Sequence, residues 1–186
     1  MASAFGHAAL SLALGRYRAR SARSWKFLIL MIVCSILPDF DVIAFSFGIP
    51  YGHPLGHRGF SHSILFAALL GVFFSFAFFS RPGERYRFSH EQRVTAVYLF
   101  LATLSHGVLD AMTDGGLGVG FFIPFENSRH FFEFRPIHVS PLSIRAFFER
   151  DGWTVLKSEF VWVGRIIFAL LFTQFILERF RYARRR

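Results

Sequence analysis

The sequence predicts an all-α membrane protein: a polytopic helical bundle with about four spanning helices, a short N-terminal helix and an outer loop region. The first reason is composition, because 53% of the 186 residues are hydrophobic, 27 residues are Phe, and the mean hydropathy is +0.41. Soluble domains are far more polar. The second reason is that the apolar residues form runs of about 20, enough to cross a bilayer as a helix. The third is that arginines cluster between these runs, and we expect residues 1–186 to form one integral-membrane domain.

Four apolar runs are the predicted spans, and each contains few charged residues. A fifth and shorter run, at residues 2–15, is expected to enter the membrane part-way or to span it with help from neighbouring helices. The four long runs are residues 27–49, 61–80, 94–112 and 160–177.

Basic residues predict the orientation. If the spans alternate, the arginine-rich clusters within residues 16–26, 81–93 and 179–186 fall on one face, and the positive-inside tendency makes that face cytoplasmic. Residues 113–159 are then on the outer face. The net charge of +9 would suit a nucleic-acid partner. However, basic clusters beside apolar runs are typical of membrane topology, so we expect no nucleic acid to bind.

Ionisable side chains occur inside the apolar runs, where a charge is costly and usually marks a functional site. Counted from the nearest basic cluster at 1.5 Å per residue, His7, Asp39 and His106 lie about 14–20 Å into the membrane. His62 lies at about 28 Å on the same scale. Four segments are thus predicted to bring polar groups into the outer half of the bilayer, where a bound metal would hold carboxylates and imidazoles together.

Two pairs of residues are the leading predicted ligands. His106 and Asp110 are four residues apart, so they share one face of a helix and can bind the same ion. Asp39 and Asp41 follow Pro38, and in an extended segment they would project to the same side. They would then act as two ligands, or as one ligand and one catalytic base. The alternative is that one of them only caps the helix that follows.

The segment HRGFSH adds His57 and His62 as further predicted ligands. Arg58, between them, suits bidentate binding of a phosphate. His7 lies on an apolar N-terminal face and is predicted to be a ligand as well, with a structural histidine as the alternative.

The outer loop supplies the remaining predicted substrate contacts. Arg129, His130 and Arg135 lie among aromatic residues, and together with Arg58 they are expected to bind an anionic headgroup. The alternative is that they anchor a loop at the membrane interface.

Histidine and aspartate ligands favour zinc, with manganese or iron as alternatives. The predicted ligands exceed what one structural ion needs. We therefore expect a hydrolytic site of two ions, in which metal activates water and holds a phosphoryl oxygen. Asp39 or Asp41 would act as the general base.

The order of the motifs is informative as well. An N-terminal histidine, then PDFD, HRGFSHS and SHGVLDAMT across several apolar helices, resembles the LexA-binding, inner-membrane-associated metal-dependent hydrolases, the YdjM-like family. The resemblance runs from His7 to the outer loop near His138. It implies a membrane-bound hydrolase of the bacterial inner membrane, and the family's name suggests a protein regulator bound on the cytoplasmic side.

More remotely, the order of an aspartate, a histidine and an HxxxD helix resembles the zinc-dependent phospholipases C, which carry a multi-zinc cluster. This resemblance implies that two or three ions are bound, and that an aspartate of the PDFD motif is a ligand or a base. On this resemblance His106 and Asp110 would be zinc ligands, and His62 or His57 would be another. Asp39 or Asp41 would be a ligand or a base, and His7 would complete the cluster.

We therefore predict a membrane-embedded hydrolase that cleaves a phosphoester of a lipid or another membrane-proximal substrate. Two alternatives come from other classes of protein. A metal-ion transporter would need a polar path to the cytoplasmic face, which the apolar residues 27–33 and 94–102 do not offer. A regulatory protein would bind a partner through the basic loops, and this leaves the polar groups inside the membrane unexplained.

Overall fold

The computed structural model describes residues 1–18, 23–80 and 88–183. The predicted all-α bundle is confirmed, because the described chain contains helices and two isolated β-bridges but no strand. The α-helices are Ala4–Gly15 (α1), Trp25–Ile36 (α2), Ile64–Phe79 (α3), His90–Ala111 (α4), Ile144–Ala146 (α5) and Gly152–Ala183 (α6). The other elements are the 3-10 segments Leu37–Phe47 and Phe60–His62 and the π-helical turn Phe147–Asp151.

Serine residues define where four of the helices begin. The side chains of Ser3, Ser24 and Ser63 each accept a hydrogen bond from the amide three residues later. Ser89 does the same within a capping box that it forms with Gln92. Such caps satisfy amides that a helix leaves unbonded, so each contributes roughly 1 kcal/mol and fixes the first turn.

Pro38 ends the α-helical part of the first long span. The α2 helix stops at Ile36 and the chain continues as the 3-10 helix Leu37–Phe47, because proline lacks the amide that a continuing α-helix would use. The segment is therefore not extended, which corrects the expectation for Asp39 and Asp41. With about three residues per turn, the two aspartates point to different sides.

Three helices in the described residues are long and apolar enough to cross a membrane: Trp25–Phe47, His90–Ala111 and Gly152–Phe180. The predicted span at residues 61–80 is instead a 16-residue helix, roughly 24 Å long against about 30 Å of hydrocarbon. The helix is shorter than predicted because the first residues of the run belong to the 3-10 turn Phe60–His62, and Ser63 then caps the α-helix.

Close packing holds the bundle together. The α3 helix lies so near α4 that a Cβ at Gly71 would be 2.6 Å from the carbonyl oxygen of Ala96. The α1 helix packs against α2, α4 and α6. The buried apolar cluster between α2 and α4 consists of Phe27, Leu30, Met31, Cys34, Leu99 and Ala102.

The described residues of the three predicted basic clusters gather at one end of the bundle. The Gln174 side chain donates to the carbonyl oxygen of Arg16 at 2.8 Å, and Lys26 donates to the carbonyl oxygen of Phe78. These contacts join the ends of α1 and α3 to the start of α2 and to α6. The parts of the predicted basic clusters that lie outside the described residues are 19–22, 81–87 and 184–186.

Candidate metal centre

Four buried side chains from three parts of the bundle form a compact polar group, which we call the central cluster. Asp39 comes from the 3-10 helix after α2, and His62 comes from the 3-10 turn before α3. His106 and Asp110 come from successive turns of α4. One ligand atom from each residue lies within 4.8 Å of the others, and no member is more than 7% exposed. Ligands predicted on three separate segments therefore meet in the fold.

The spacing within the central cluster suits a tetrahedral cation. The Nε2 atoms of His62 and His106 are 3.0 Å apart, and His106 Nε2 is 3.3 Å from Asp39 Oδ1. Asp110 Oδ2 lies 3.5 Å from His62 Nε2 and 3.9 Å from His106 Nε2. Metal–ligand bonds of about 2.0 Å in a tetrahedron separate the ligand atoms by roughly 3.3 Å, which falls within this range of distances.

Several oxygens of the central cluster lack a hydrogen-bond donor among the described residues. They are both carboxylate oxygens of Asp39 and Oδ2 of Asp110, and all of them are buried. Arg58 Nε lies 3.0 Å from Asp110 Oδ2, but one guanidinium only partly compensates two buried carboxylates, and an uncompensated one is strongly unfavourable. A divalent cation fits this set of oxygen and nitrogen donors, because it would bind the carboxylates and both imidazoles at once.

Hydrogen bonds behind the imidazoles direct their Nε2 atoms toward the cluster. His106 Nδ1 lies 2.7 Å from the carbonyl oxygen of Ser35. Because a carbonyl only accepts, Nδ1 carries the proton and the lone pair is on Nε2. His62 Nδ1 lies 2.9 Å from the Ser61 hydroxyl, which itself donates to Asp41 Oδ2, and 3.2 Å from that carboxylate oxygen, which has the same effect. Partners of this kind behind histidines are the usual arrangement in metal sites.

Asp41 lies beside the central cluster and receives its contacts from the HRGFSH segment. Its Oδ1 is 2.6 Å from His57 Nδ1, while its Oδ2 accepts from the Arg58 amide at 3.0 Å and from the Ser61 hydroxyl at 2.5 Å. Together with His57 and His62 it forms a second group, whose ligand atoms also lie within 4.8 Å of one another. The two aspartates of the PDFD motif thus have different surroundings.

His7 borders the central cluster from α1. Its ring stacks on that of His106, with the centroids 3.7 Å apart and the planes at 15°. Its Nε2 lies 3.5 Å from Asp110 Oδ1. Neither of its ring nitrogens has a hydrogen bond among the described residues, although the side chain is fully buried. His7 therefore lines the cluster without belonging to its four most compact members.

The Arg58 guanidinium is buried between the central cluster and the loop after α4. Its Nε is 3.0 Å from Asp110 Oδ2, Nη1 donates to the Gly115 carbonyl at 2.9 Å, and Nη2 donates to Thr113 Oγ1 at 3.0 Å. The residue has a φ of 59°, which is uncommon for a side chain other than glycine. Because the side chain is 0% exposed, it contacts Asp110 and is not presented to an outside phosphate.

The three outer-loop residues predicted to bind substrate make separate contacts. Arg129 donates to backbone carbonyls within residues 51–57 at 2.9–3.0 Å, and so it fastens the loop before α3. Burial lowers the pKa of the Arg129 guanidinium, although arginine remains charged. His130 is half-buried, and Arg135 lies over the Phe131 ring. Within the described residues, none of the three enters the central cluster.

Two contacts at the N-terminal end of α1 were not expected from the sequence. The Ala2 amide donates to Asp110 Oδ1 at 2.7 Å. The amide and the hydroxyl of Ser3 both donate to the carboxylate of Glu159, which is 4% exposed. The sequence signal for this site is weak, because Glu159 is a single acidic residue at the edge of the last apolar run.

The fold and the central cluster define a polytopic helical membrane protein whose buried histidines and aspartates are arranged as metal ligands would be. The chain belongs to the YdjM inner membrane protein family, whose sequence model matches residues 1–181. It is 35% identical over 179 residues to the inner membrane protein YbcI of Escherichia coli (strain K12), and the match covers 92% of this chain and 97% of that protein. No solved structure matches the chain.

These comparisons confirm the predicted YdjM-like family. The family, the relative and the three apolar helices together indicate an inner-membrane protein. Binding to LexA, hydrolase activity and likeness to phospholipase C are not part of either description, and they stay predictions. The orientation of the loops also stays a prediction.

Proposed function

We propose that this protein is a membrane-embedded, metal-dependent hydrolase that cleaves a phosphoester of a lipid or another membrane-proximal substrate. The observation that supports the proposal is the central cluster, in which two imidazoles and two buried carboxylates place ligand atoms within 4.8 Å of one another. Spanning helices satisfy their own backbone groups and need no such cluster to be stable. Ionisable groups at membrane depth are therefore best explained by a function.

The four residues of the central cluster would hold the divalent cation. Their donors suit zinc best, with manganese or iron as alternatives. When bound, such an ion lowers the pKa of water and polarises a phosphoryl oxygen. The protein's part is to fix the imidazoles from behind, through the Ser35 carbonyl and Asp41, and to keep bulk water away by burial.

Three further roles are assigned to side chains in the central cluster or next to it. Asp39 has no hydrogen-bond donor on either oxygen among the described residues, so we assign it to the ion. Asp41 already accepts hydrogen bonds on both oxygens, and we assign it to the orientation of His62. His7 has two ring nitrogens without hydrogen bonds next to Asp110, and it is the side chain best placed to accept a proton there.

The position of His62 bears on the number of ions. Its Nε2 is near Asp110, whereas its Nδ1 is near Asp41 in the second group. A neutral imidazole carries a proton on one of its nitrogens, so the two groups cannot both bind metal through it unless the ring loses that proton. We therefore propose one ion, in the central cluster. Two or three ions per chain by elemental analysis would instead support the number that the phospholipase C resemblance implies.

The test is a headgroup-release assay on phospholipid vesicles, with metal content measured on the same purified protein. We expect His106→Ala and Asp110→Asn to lose bound metal and to abolish release. His106→Ala should still insert into the membrane and elute as the wild type does. Asp110→Asn also leaves the buried Arg58 guanidinium without its carboxylate, so its result is read only on protein that elutes as the wild type does. His90→Ala changes an exposed histidine at the start of α4 and is the matched control. Full turnover by metal-depleted His106→Ala protein would overturn the proposal.

A metal-ion transporter is the alternative that shares the central cluster. The bundle argues against it, because Phe27, Met31 and Leu99 are fully buried in the apolar cluster between the metal centre and the basic end. Flux of zinc into liposomes that contain the purified protein would favour transport. A regulatory protein that binds a partner through its basic loops is the third class, and it too stays a prediction.

A further inference from the structure

A groove of about 850 Å³ runs along the bundle between α1 and the first half of α6. Phe5 and Ala9 line it from α1, and Phe160, Gly164 and Ile167 line it from α6. The space beside Gly164 is open, because an added Cβ would meet no atom within 4 Å. The volume is within the range of roughly 300–1,000 Å³ that is typical of small-molecule sites.

The groove is apolar except at one end. Lys157 lines that end, is exposed to solvent, and holds its ammonium 5.1 Å from the ring centroid of Trp153. The other charged lining residue, Glu159, already accepts hydrogen bonds from Ser3. Glu159 is 4% exposed and Lys157 is exposed, so the charge accessible to a ligand in solvent contact is that of the lysine. Tryptophan and lysine are residues that collect where a spanning helix meets the membrane surface.

The dimensions of the groove match one leaflet of a bilayer. From Lys157 to Ile167, α6 advances ten residues, or roughly 15 Å, which is half of the hydrocarbon thickness of about 30 Å. The polar end is opposite the end of the bundle where Gln174 contacts Arg16, so the groove is in the same half of the bilayer as the central cluster. Few residues of the Gly152–Phe180 span are buried by this chain, so most of its surface is open to lipid.

We propose that this groove binds one acyl chain of an anionic phospholipid, with the headgroup at Lys157 and the chain extending along Gly164 toward Ile167. The apolar lining selects the hydrocarbon chain, and the lysine selects the negative charge. The proposal does not rest on hydrolysis. Phe5 and Ala9 face the groove while His7 faces the central cluster, so α1 separates the two sites.

The experiment is photo-crosslinking in nanodiscs of phosphatidylglycerol that carries a diazirine near the end of one acyl chain. We expect crosslinks to concentrate on the α1 and α6 peptides that line the groove. Gly164→Phe should fill the groove and reduce these crosslinks about tenfold or more, since each displaced methylene weakens binding about fourfold. Ala9→Phe fills the groove from the facing helix and should have the same effect. Ala169→Phe, an exposed position of α6 outside the groove, is the matched control.

Headgroup charge is tested in mixed nanodiscs by comparing phosphatidylglycerol with phosphatidylcholine. Lys157→Gln should reduce the preference for phosphatidylglycerol about fivefold, the effect of one lysine near a charged surface. Arg165→Gln, which lies over Trp162 outside the groove, should leave the preference unchanged. Crosslinks spread evenly over all of α6, or crosslinks of the groove to a second copy of the chain, would overturn the proposal.

Discussion

Only Phe40 separates Asp39 from Asp41 in the chain, and although both aspartates approach His62, their other neighbours differ. Asp39 Oδ1 is near His106 on α4, whereas Asp41 is hydrogen-bonded to His57 and Arg58 in the segment before α3. The 3-10 pitch after Pro38 causes this separation, because it turns the side chains of residues i and i+2 to different sides. A carboxylate that holds a ligating histidine from behind tunes metal affinity without binding the metal itself.

We predict that Asp41→Asn will retain metal with an affinity reduced about 10- to 100-fold, the usual effect of removing a partner behind a ligand. The measurement is competition with a fluorescent chelator on purified protein. Asp114→Asn is the matched control, because Asp114 is an exposed aspartate that contacts His138. If Asp41→Asn loses metal as completely as Asp110→Asn, Asp41 is itself a ligand and the present assignment is wrong.

Arg58 leads to a prediction about stability. We expect Arg58→Ala to destabilise the protein by about 3–5 kcal/mol, because it leaves the buried carboxylate of Asp110 without its arginine. Arg58→Lys should not restore stability, since one ammonium cannot reach three separate acceptors. Arg135→Ala, an exposed arginine over Phe131, should change stability little. The measurement is unfolding in detergent. A stable Arg58→Ala protein that binds substrate weakly would support the phosphate-binding role predicted from the sequence.

At the scale of single residues, the sequence predicted that Asp39, His62, His106 and Asp110 would meet, but it could not predict the role of each neighbouring side chain. Helix rise is constant, so the depths of His106 and Asp39 could be counted from the basic clusters. The direction of a side chain in a non-α segment could not be counted in the same way. Arginine is a side chain that commonly binds phosphate, and this suggested a phosphate-binding role for Arg58. Its left-handed backbone and its contact with Asp110 depend on the folded loop around it and could not be predicted.

At the scale of secondary-structure elements, the positions of serine residues predicted where helices begin. The sequence predicted the lengths of the helices less well. Ser63 caps α3 and Ser89 caps α4, and both precede apolar runs as caps should. The run at residues 61–80 is apolar throughout, so composition alone could not show that its first residues form a separate 3-10 turn. That turn brings His62 to the central cluster, and it leaves α3 shorter than a full span.

The contact between α3 and α4 can be tested with a pair of glycine substitutions. Gly71→Ala should destabilise the bundle by about 1–3 kcal/mol, because its Cβ would be 2.6 Å from the Ala96 carbonyl oxygen and the helices would have to separate. Gly164→Ala should be neutral or stabilising by up to about 1 kcal/mol, since its Cβ meets open space and alanine favours a helix. Unfolding in detergent measures both. Equal effects from the two changes would contradict the close packing.

At the scale of the whole molecule, the described residues of the three basic clusters lie at one end and the central cluster lies toward the other. We predict that the end with the outer loop faces away from the cytoplasm. Cys34 is the only cysteine of the sequence and is buried. A Cys34→Ser variant therefore has no cysteine, and single cysteines can be introduced into it for labelling. A cysteine at Phe125, which is 84% exposed, should react with an impermeant maleimide in intact cells.

The matched control for this topology is a cysteine at His90, which is exposed at the start of α4. It should react only after the cells are broken, because the membrane separates it from the reagent. The reverse pattern would place the metal centre toward the cytoplasm. The bundle itself would be unaffected, since the positive-inside tendency concerns orientation and not packing.

The contacts of Ala2 and Ser3 carry a consequence for biogenesis. Ala2 is held by Asp110, and Ser3 is held by Glu159, 156 residues further along the chain. A ribosome delivers the first residues well before Glu159, so the first helix cannot settle in its final place until the last span has been inserted. His7 travels with that helix. Closure of α1 over the central cluster should accordingly be a late event, completed only after the last span has been inserted.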